Sequence, residues 1–202
     1  MIRSKIAYTI FWLWKAFNTV GGSIIGNMVL FCWGVPVSGF VKCVGLPRIE
    51  KSVDGQIRIG RNCCLRSSCS SNIVGCNRPV SLGTIQDGQL LIGNNCGLTS
   101  TVIVARKHVE IGNHVLIGAN CTITDCDFHP LDHAVRRRGD VEGNARPVYI
   151  EDDVWLGMNV IVLKGVRIGA GTVVGAGSVV SRSLPGGVIA AGNPARVCRK
   201  IN

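Results

Sequence analysis

Apolar positions in the second half of the chain recur every six residues, and glycine often follows them. This step matches neither the period of an α-helix, about 3.6 residues, nor the alternation of a long strand. It predicts short strands that each send one aliphatic side chain inward, joined by tight turns that favour glycine and small polar residues. The row that defines the pattern over residues 148–181 is Ile150, Leu156, Val162, Ile168, Val174 and Val180.

Three such strands close one triangular coil, so every third member of the row should stack on the next coil. Ile150 is expected beside Ile168, and Leu156 beside Val174. One coil cannot bury its own ends, so the stack of coils forms the core. Hexapeptide periodicity of this kind is typical of a parallel β-helix, and the sequence therefore predicts an all-β fold.

The same step is present upstream in a less regular form. Residues 66–90 do not fit it, and a slip of one residue near 106–108 predicts a small bulge there. We expect the β-helix to occupy residues 49–190 and to be followed by a C-terminal tail at residues 191–202. The two upstream rows are Ile92, Leu98, Val104 and Ile111, Ile117, Ile123.

One polar stretch, CDFHPLDHAVRRRGDVEGNARP at residues 126–147, interrupts the repeat. It concentrates histidines, carboxylates and arginines between two regular apolar segments. Insertions in a solenoid form loops on one face, which is often the binding face. We therefore predict an extruded loop over residues 124–147 that carries the chemistry of the protein.

Composition and charge narrow the class of protein. With 47% hydrophobic and 17% charged residues, the chain is not of the disordered type. The net charge of +10 favours an anionic partner such as a phosphorylated cofactor or a lipid surface. Nucleic acid is disfavoured because no basic block is interleaved with aromatic residues. The ten cysteines lack C-x-x-C and zinc-finger spacings, so we interpret most as small buried residues in a reducing cytoplasm.

The repeat resembles that of the hexapeptide-repeat acyltransferases, over about residues 55–200 by its period. That resemblance implies a left-handed parallel β-helix. ITDCDFHPLD at residues 123–132, followed by PVYIEDDVWLG at 147–157, is similar to the loop of the sugar O-acetyltransferases. This group includes galactoside and maltose acetyltransferases and enzymes that modify capsule or lipopolysaccharide. The resemblance implies an acetyl-CoA-dependent O-acetyltransferase of surface polysaccharide biosynthesis.

By the same resemblance, His129 is the general base of acetyl transfer. A sugar hydroxyl must lose its proton as its oxygen attacks a thioester, and imidazole has a pKa near neutrality that suits this task. Glu142 is expected to orient the imidazole, with Asp125 and Asp127 as alternatives. Asp125, Asp127 and Trp155 are expected at the acceptor, although Trp155 would also suit packing between subunits.

The end of the chain, GAGSVVSRSLPGGVIAAGNPARVCRKI, resembles the segment with which this family binds acetyl-CoA in a groove between subunits. Small residues let the pantetheine arm lie close to the backbone, and cations meet the CoA phosphates. The family forms trimers, so a homotrimer is expected. No metal is expected, because His108 and His114 would lie on different faces of the coil. The residues implied for acetyl-CoA are Met158, Ala176, Ser181, Arg182, Arg196 and Arg199.

Residues 1–48 form an apolar, aromatic segment outside the repeat, which we expect to be helical. The uncharged residues 16–41 are long enough to span a bilayer, but their glycines, proline and asparagines disfavour a straight spanning helix. One interpretation is an in-plane or re-entrant membrane anchor with tryptophans at the interface. The other is a cap on the β-helix or between subunits. An anchor would place a cytoplasmic enzyme at the inner face of the plasma membrane, near lipid-linked glycans.

Two other functions remain open from the sequence. The acceptor of the acetyl group is an amino sugar or a serine in the first alternative. In the second, the chain is a non-catalytic, membrane-bound β-helical scaffold, and His129 has no chemical task.

Overall fold

The structure is a computed structural model that describes residues 2–139 and 143–201. Two helices are present, α1 (Ile2–Cys32) and α2 (His133–Arg137). The strands in chain order are β1 (Lys42–Val44), β2 (Arg48–Glu50), β3 (Gln56–Ile59), β4 (Cys64–Arg66), β5 (Ser81–Thr84), β6 (Gln89–Ile92), β7 (Gly97–Thr99), β8 (Val102–Ala105), β9 (His108–Ile111), β10 (Leu116–Ile117), β11 (Thr122–Thr124), β12 (Val148–Ile150), β13 (Trp155–Leu156), β14 (Ile161–Val162), β15 (Arg167–Ile168), β16 (Val173–Val174), β17 (Val179–Val180), β18 (Val188–Gly192) and β19 (Ala195–Lys200).

The strands form three sheets, and consecutive strands pass from one sheet to the next. Face one has the order β1-β4-β7-β10-β13-β16-β18-β19. Face two has the order β17-β14-β11-β8-β5-β2, and face three the order β15-β12-β9-β6-β3. All neighbours are parallel except β18 and β19. Three strands therefore complete one coil, and the predicted parallel β-helix is confirmed.

The core is a stack of aliphatic side chains with the predicted register. Ile150 pairs with Ile168 across β12 and β15, and Leu156 pairs with Val174 across β13 and β16. All four are at most 1% exposed. Each two-residue strand buries only one side chain, so the other residue of that strand points outward and can form a surface.

The β-helix begins and ends differently from the predicted boundaries. Lys42–Val44 pair with β4, so the first coil starts before residue 49. Residues after 190 are not a separate tail, because β19 folds back on β18 as an antiparallel hairpin that closes face one.

The C-terminal half of α1 packs on the first coil. Asn27 donates its side-chain amide to the carbonyl of Val41 (2.8 Å) and accepts from the Val41 N–H (3.2 Å). The Ser23 hydroxyl accepts from the N–H of Cys43 (2.9 Å). These two side chains pair with backbone groups that have no preceding coil, so this half of the helix acts as a cap.

The N-terminal half of α1 presents apolar side chains to solvent, among them Trp12, Trp14 and Phe17. Within the described part of the chain, neither helix combines the length and the apolarity that crossing a bilayer requires.

Candidate functional site

The polar stretch leaves the coil after β11 and returns at β12, and its base is a short antiparallel ladder. Cys126 bridges Ala145, the N–H of Asp127 donates to the carbonyl of Asn144 (3.0 Å), and the N–H of Arg146 donates to the carbonyl of Asp125 (2.8 Å). Within the loop, α2 is capped by a carboxylate that accepts two backbone N–H groups. The described part of the loop is thus held by backbone hydrogen bonds at its base, and it projects from the corner between faces two and three.

His129 lies beyond this base and is exposed. Phe128, before it, is 49% exposed, whereas Pro130, after it, is buried. The buried proline and the ladder fix the backbone on either side, while the imidazole remains open to a substrate. Glu142, the carboxylate predicted to orient this imidazole, lies outside the described residues.

Asp125 does not have the role that the sequence suggested. Its carboxylate is fully buried and accepts the backbone N–H groups of Arg106 (2.8 Å), Lys107 (2.7 Å) and His108 (2.7 Å). Three donors occupy it, and no surface of it is open to an acceptor sugar. Asp125 therefore holds the turn between β8 and β9 under the base of the loop.

Two polar contacts tie the loop to neighbouring coils. Asp127 forms an ion pair with Lys164, which lies in the turn after β14, and both side chains are largely covered. On the return side, the guanidinium of Arg106 donates to the carbonyl of Gly143 (2.8 Å). Sequence reasoning missed Arg106 and Lys164. The one available signal was that Lys164 is a basic residue in a turn of the repeat, whereas the other charged turn residues over 148–181 are acidic.

A groove of about 350 Å³ lies between the loop and face two. Phe128 forms one wall, and the outward side chains of β2, β5 and β8 form its floor. Arg48 and Glu50 form an ion pair at its edge (2.7 Å). The groove therefore combines an aromatic face with charged and hydroxyl groups, as small-molecule sites do.

Three of the residues predicted to bind acetyl-CoA follow the corner between faces one and two. The N–H of Gly177, next to Ala176, donates to the carbonyl of Met158 (2.8 Å). Arg196 continues this corner in the β18–β19 hairpin, where it pairs with Ala191. Successive coils stack closely at this corner, since a Cβ on Gly157 would lie 2.7 Å from the backbone nitrogen of Ala176.

The remaining predicted residues lie elsewhere on the same chain. Ser181 and Arg182 follow β17 at the opposite edge of face two, and Arg199 pairs with Ile189 in the terminal hairpin. Trp155 is 54% exposed on face one, beside Leu116, and so on a different face from the groove. One chain does not bring His129 together with Trp155.

Burial and one hydrogen bond shift the pKa values of four thiols in the described coils. Burial raises the pKa of the Cys43 thiol to about 12 and that of Cys121 to about 11. A hydrogen bond from Cys96 lowers the pKa of Cys63 to about 7, and the same bond and burial raise that of Cys96. All four thiols are inside the stack, as expected for small buried residues.

Comparison with known proteins assigns the repeat. Residues 147–182 match the bacterial transferase hexapeptide family (six repeats), and residues 108–124 match the hexapeptide repeat of succinyl-transferase. Over these two segments the chain is similar to the hexapeptide-repeat transferases. The first of these matches covers the regular coil after the loop, and the second covers the coil before it.

The similarity to sugar O-acetyltransferases extends beyond these two segments. A galactoside O-acetyltransferase of Lactococcus lactis subsp. lactis (strain IL1403) is 44% identical over 144 residues, which cover 71% of this chain and 63% of that protein. The chain thus spans less than two thirds of that relative. The resemblance to the sugar O-acetyltransferase group is confirmed.

Solved structures share the architecture. The polySia-specific acetyltransferase NeuO matches with a TM-score of 0.68 at 24% identity, over 82% of this chain and 71% of that chain, and shows the fold. A galactoside acetyltransferase in complex with coenzyme A matches with a TM-score of 0.50 at 29% identity, over 83% of this chain and 64% of that chain.

Proposed function

We propose that this protein is an acetyl-CoA-dependent O-acetyltransferase that acetylates a hydroxyl group of a sugar. The observation that carries the proposal is the anchored loop in a chain 44% identical to a galactoside O-acetyltransferase. The loop presents exposed His129 next in sequence to Phe128, which lines a groove. A scaffold would not need a loop whose base is fixed on both sides while its imidazole is left open.

In the proposed reaction, His129 takes the proton of the sugar hydroxyl as the oxygen attacks the thioester carbonyl. The C–O bond forms, the C–S bond breaks, and CoA leaves as a thiolate that the imidazolium can protonate. A backbone N–H stabilises the oxyanion of the intermediate. Glu142 orients the imidazole. Asp127, engaged with Lys164, holds the loop at the acceptor side, where positioning contributes to rate.

Acetyl-CoA is the proposed co-substrate, and a structural neighbour in complex with coenzyme A supports it. The corner with Met158 and Ala176 suits the pantetheine arm, because Ala176 and the glycines beside it let the arm approach the backbone. Arg196 extends this line toward the phosphates, with Arg199 in the same hairpin. Ser181 and Arg182 would meet the cofactor from the other edge of face two.

We also propose that the β-helix is left-handed and that three copies assemble with active sites between them. Leu116 and Trp155, each 54% exposed, are adjacent on face one, and Val173 continues their row. A second copy would cover this apolar row. Since His129 projects from another face of the same chain, such packing would bring one chain's loop to the neighbour's Trp155.

The proposed acceptor is a glycan of surface polysaccharide biosynthesis, met at the inner face of the plasma membrane. The groove beside Phe128 supports a sugar, because an aromatic face and the polar groups of Arg48, Glu50 and Ser81 would contact its apolar and hydroxyl surfaces.

The proposal is tested in two steps. Calorimetric titration should show that the parent binds acetyl-CoA and that Arg182→Ala and Arg196→Ala bind it more weakly. Thiol release from acetyl-CoA should then depend on one member of a panel of glycans and amino sugars. A parent that does not bind acetyl-CoA would leave the scaffold alternative, and release with amino sugars alone would change the acceptor class.

A further inference from the structure

One side of α1 carries a continuous apolar stripe. Its members are spaced by three or four residues, which places them on one face of a helix. The stripe extends over about 38 Å at about 1.5 Å per residue. Each member is at least 54% exposed: Ile6, Ile10, Leu13, Phe17, Val20, Ile24, Met28 and Phe31.

The opposite side of α1 is fixed against the β-helix. Ser23 and Asn27 hydrogen-bond to the backbone around β1, and a Cβ on Gly22 would lie 3.0 Å from the carbonyl oxygen of Cys43. Because these contacts set the rotation of the helix about its axis, the stripe faces away from the coils. By the helical period, Lys5 and Thr9 lie on the same side as Ser23 and Asn27.

The charge of this part of the chain has one sign. The first acidic residue is Glu50, and the residues before it include five cations: Arg3, Lys5, Lys15, Lys42 and Arg48. The ammonium of Lys15 lies 5.0 Å from the ring centre of Trp12. Tryptophan and lysine together are typical of the boundary between acyl chains and headgroups.

A second copy of α1 is the other candidate for covering the stripe. Helices that pair through such a stripe stabilise their register with opposite charges beside it. This segment has only cations, so parallel copies would place like charges together. An anionic lipid surface instead offers both apolar acyl chains and negative headgroups.

We infer that α1 lies in the plane of an anionic membrane surface, with the stripe in the acyl boundary and Lys5 and Lys15 among the headgroups. The cap contacts then hold the first coil of the β-helix toward the membrane. This inference goes beyond the proposed acetyl transfer, and its test uses no catalysis.

The test is co-sedimentation of the full chain with vesicles of phosphatidylcholine containing about one third phosphatidylglycerol. The stripe variant Leu13→Gln/Phe17→Gln is compared with the matched variant Thr9→Gln/Ala16→Gln, whose two exposed positions lie beside the stripe and carry no large apolar side chain. We expect the parent and the matched variant to bind and the stripe variant to bind at least about tenfold more weakly, because two apolar side chains leave the lipid. Raised salt should weaken binding of the parent.

Two results would overturn the inference. One is a parent that stays in the supernatant with anionic vesicles. The other is a stripe variant that binds as the parent does. The stripe is instead an interface between copies if two results coincide. Light scattering would show that the parent is an oligomer and the stripe variant is not, and the parent would not bind vesicles. Circular dichroism checks that each variant keeps its β-helix, since the substituted side chains are exposed.

Discussion

The regular coil and the extruded loop are neighbours in the chain but are stabilised by different interactions. In the coil over residues 148–180, every strand buries at least one aliphatic side chain in a common stack. In the described part of the loop, α2 has no buried residue, and polar contacts of Asp125, Asp127 and Arg106 fix the position of the loop. The coil therefore supplies stability, and the loop can present side chains that the core does not need.

The largest difference in stability should follow from replacing one leucine by alanine in each region. Leu156→Ala opens a cavity in the stack and should lower the free energy of unfolding by about 3 kcal/mol. Leu131→Ala removes a side chain that is 73% exposed in the loop and should change it by less than about 0.5 kcal/mol. Chemical denaturation of both variants measures the difference, and equal losses would contradict the division between coil and loop.

Asp125→Ala should have the second largest effect on stability, because it deprives three backbone N–H groups of their acceptor. We expect a loss of about 2–3 kcal/mol in the free energy of unfolding. Asp125→Asn keeps one acceptor oxygen and should lose less. Denaturation curves report the loss, and a neutral Asp125→Ala would mean that the buried carboxylate does not hold the turn.

The loop's ion pair should affect rate more than stability. Lys164→Ala removes the partner of Asp127 and should lower the free energy of unfolding by about 1 kcal/mol or less. It should lower the acetyl-transfer rate several-fold, because the loop is then less ordered. Arg167→Ala is the control, since it breaks a more exposed pair with Glu151 (2.8 Å) on face three that does not involve a loop residue. If both variants keep the parent's rate, the pair does not position the loop.

The smallest effect concerns the turns of the coil. The N–H and side-chain amide of Asn113 donate to Asp152 and hold the pKa of its carboxyl below the ordinary 3.8. A lowered folded-state pKa adds stability above the unfolded value, and that stability is lost as the pH falls through the folded value. Asp152→Asn should therefore flatten the loss of stability below about pH 4. An unchanged acid limb in thermal unfolding would exclude this contribution.

The register of the coil could be predicted because the apolar row, with its period of six, can be buried in one register alone. Moving Ile150 out of register with Ile168 would expose the whole row. The hydrogen-bond partners of Asp125 could not be predicted, because they lie in a distant turn that contacts Asp125 only in the folded chain. A cap on the β-helix was one of the two interpretations of the N-terminal segment, but its contacts could not be predicted, since nothing in the sequence shows that Ser23 and Asn27 meet Cys43 and Val41.

The most direct test of the account compares two histidines of one loop. The turnover number for acceptor-dependent thiol release is measured for the parent, His129→Ala and His133→Ala, both histidines being exposed. The account predicts a loss of about 10²–10⁴-fold for His129→Ala and little change for His133→Ala. A His129→Ala variant that turns over as fast as the parent would contradict the assignment of the general base.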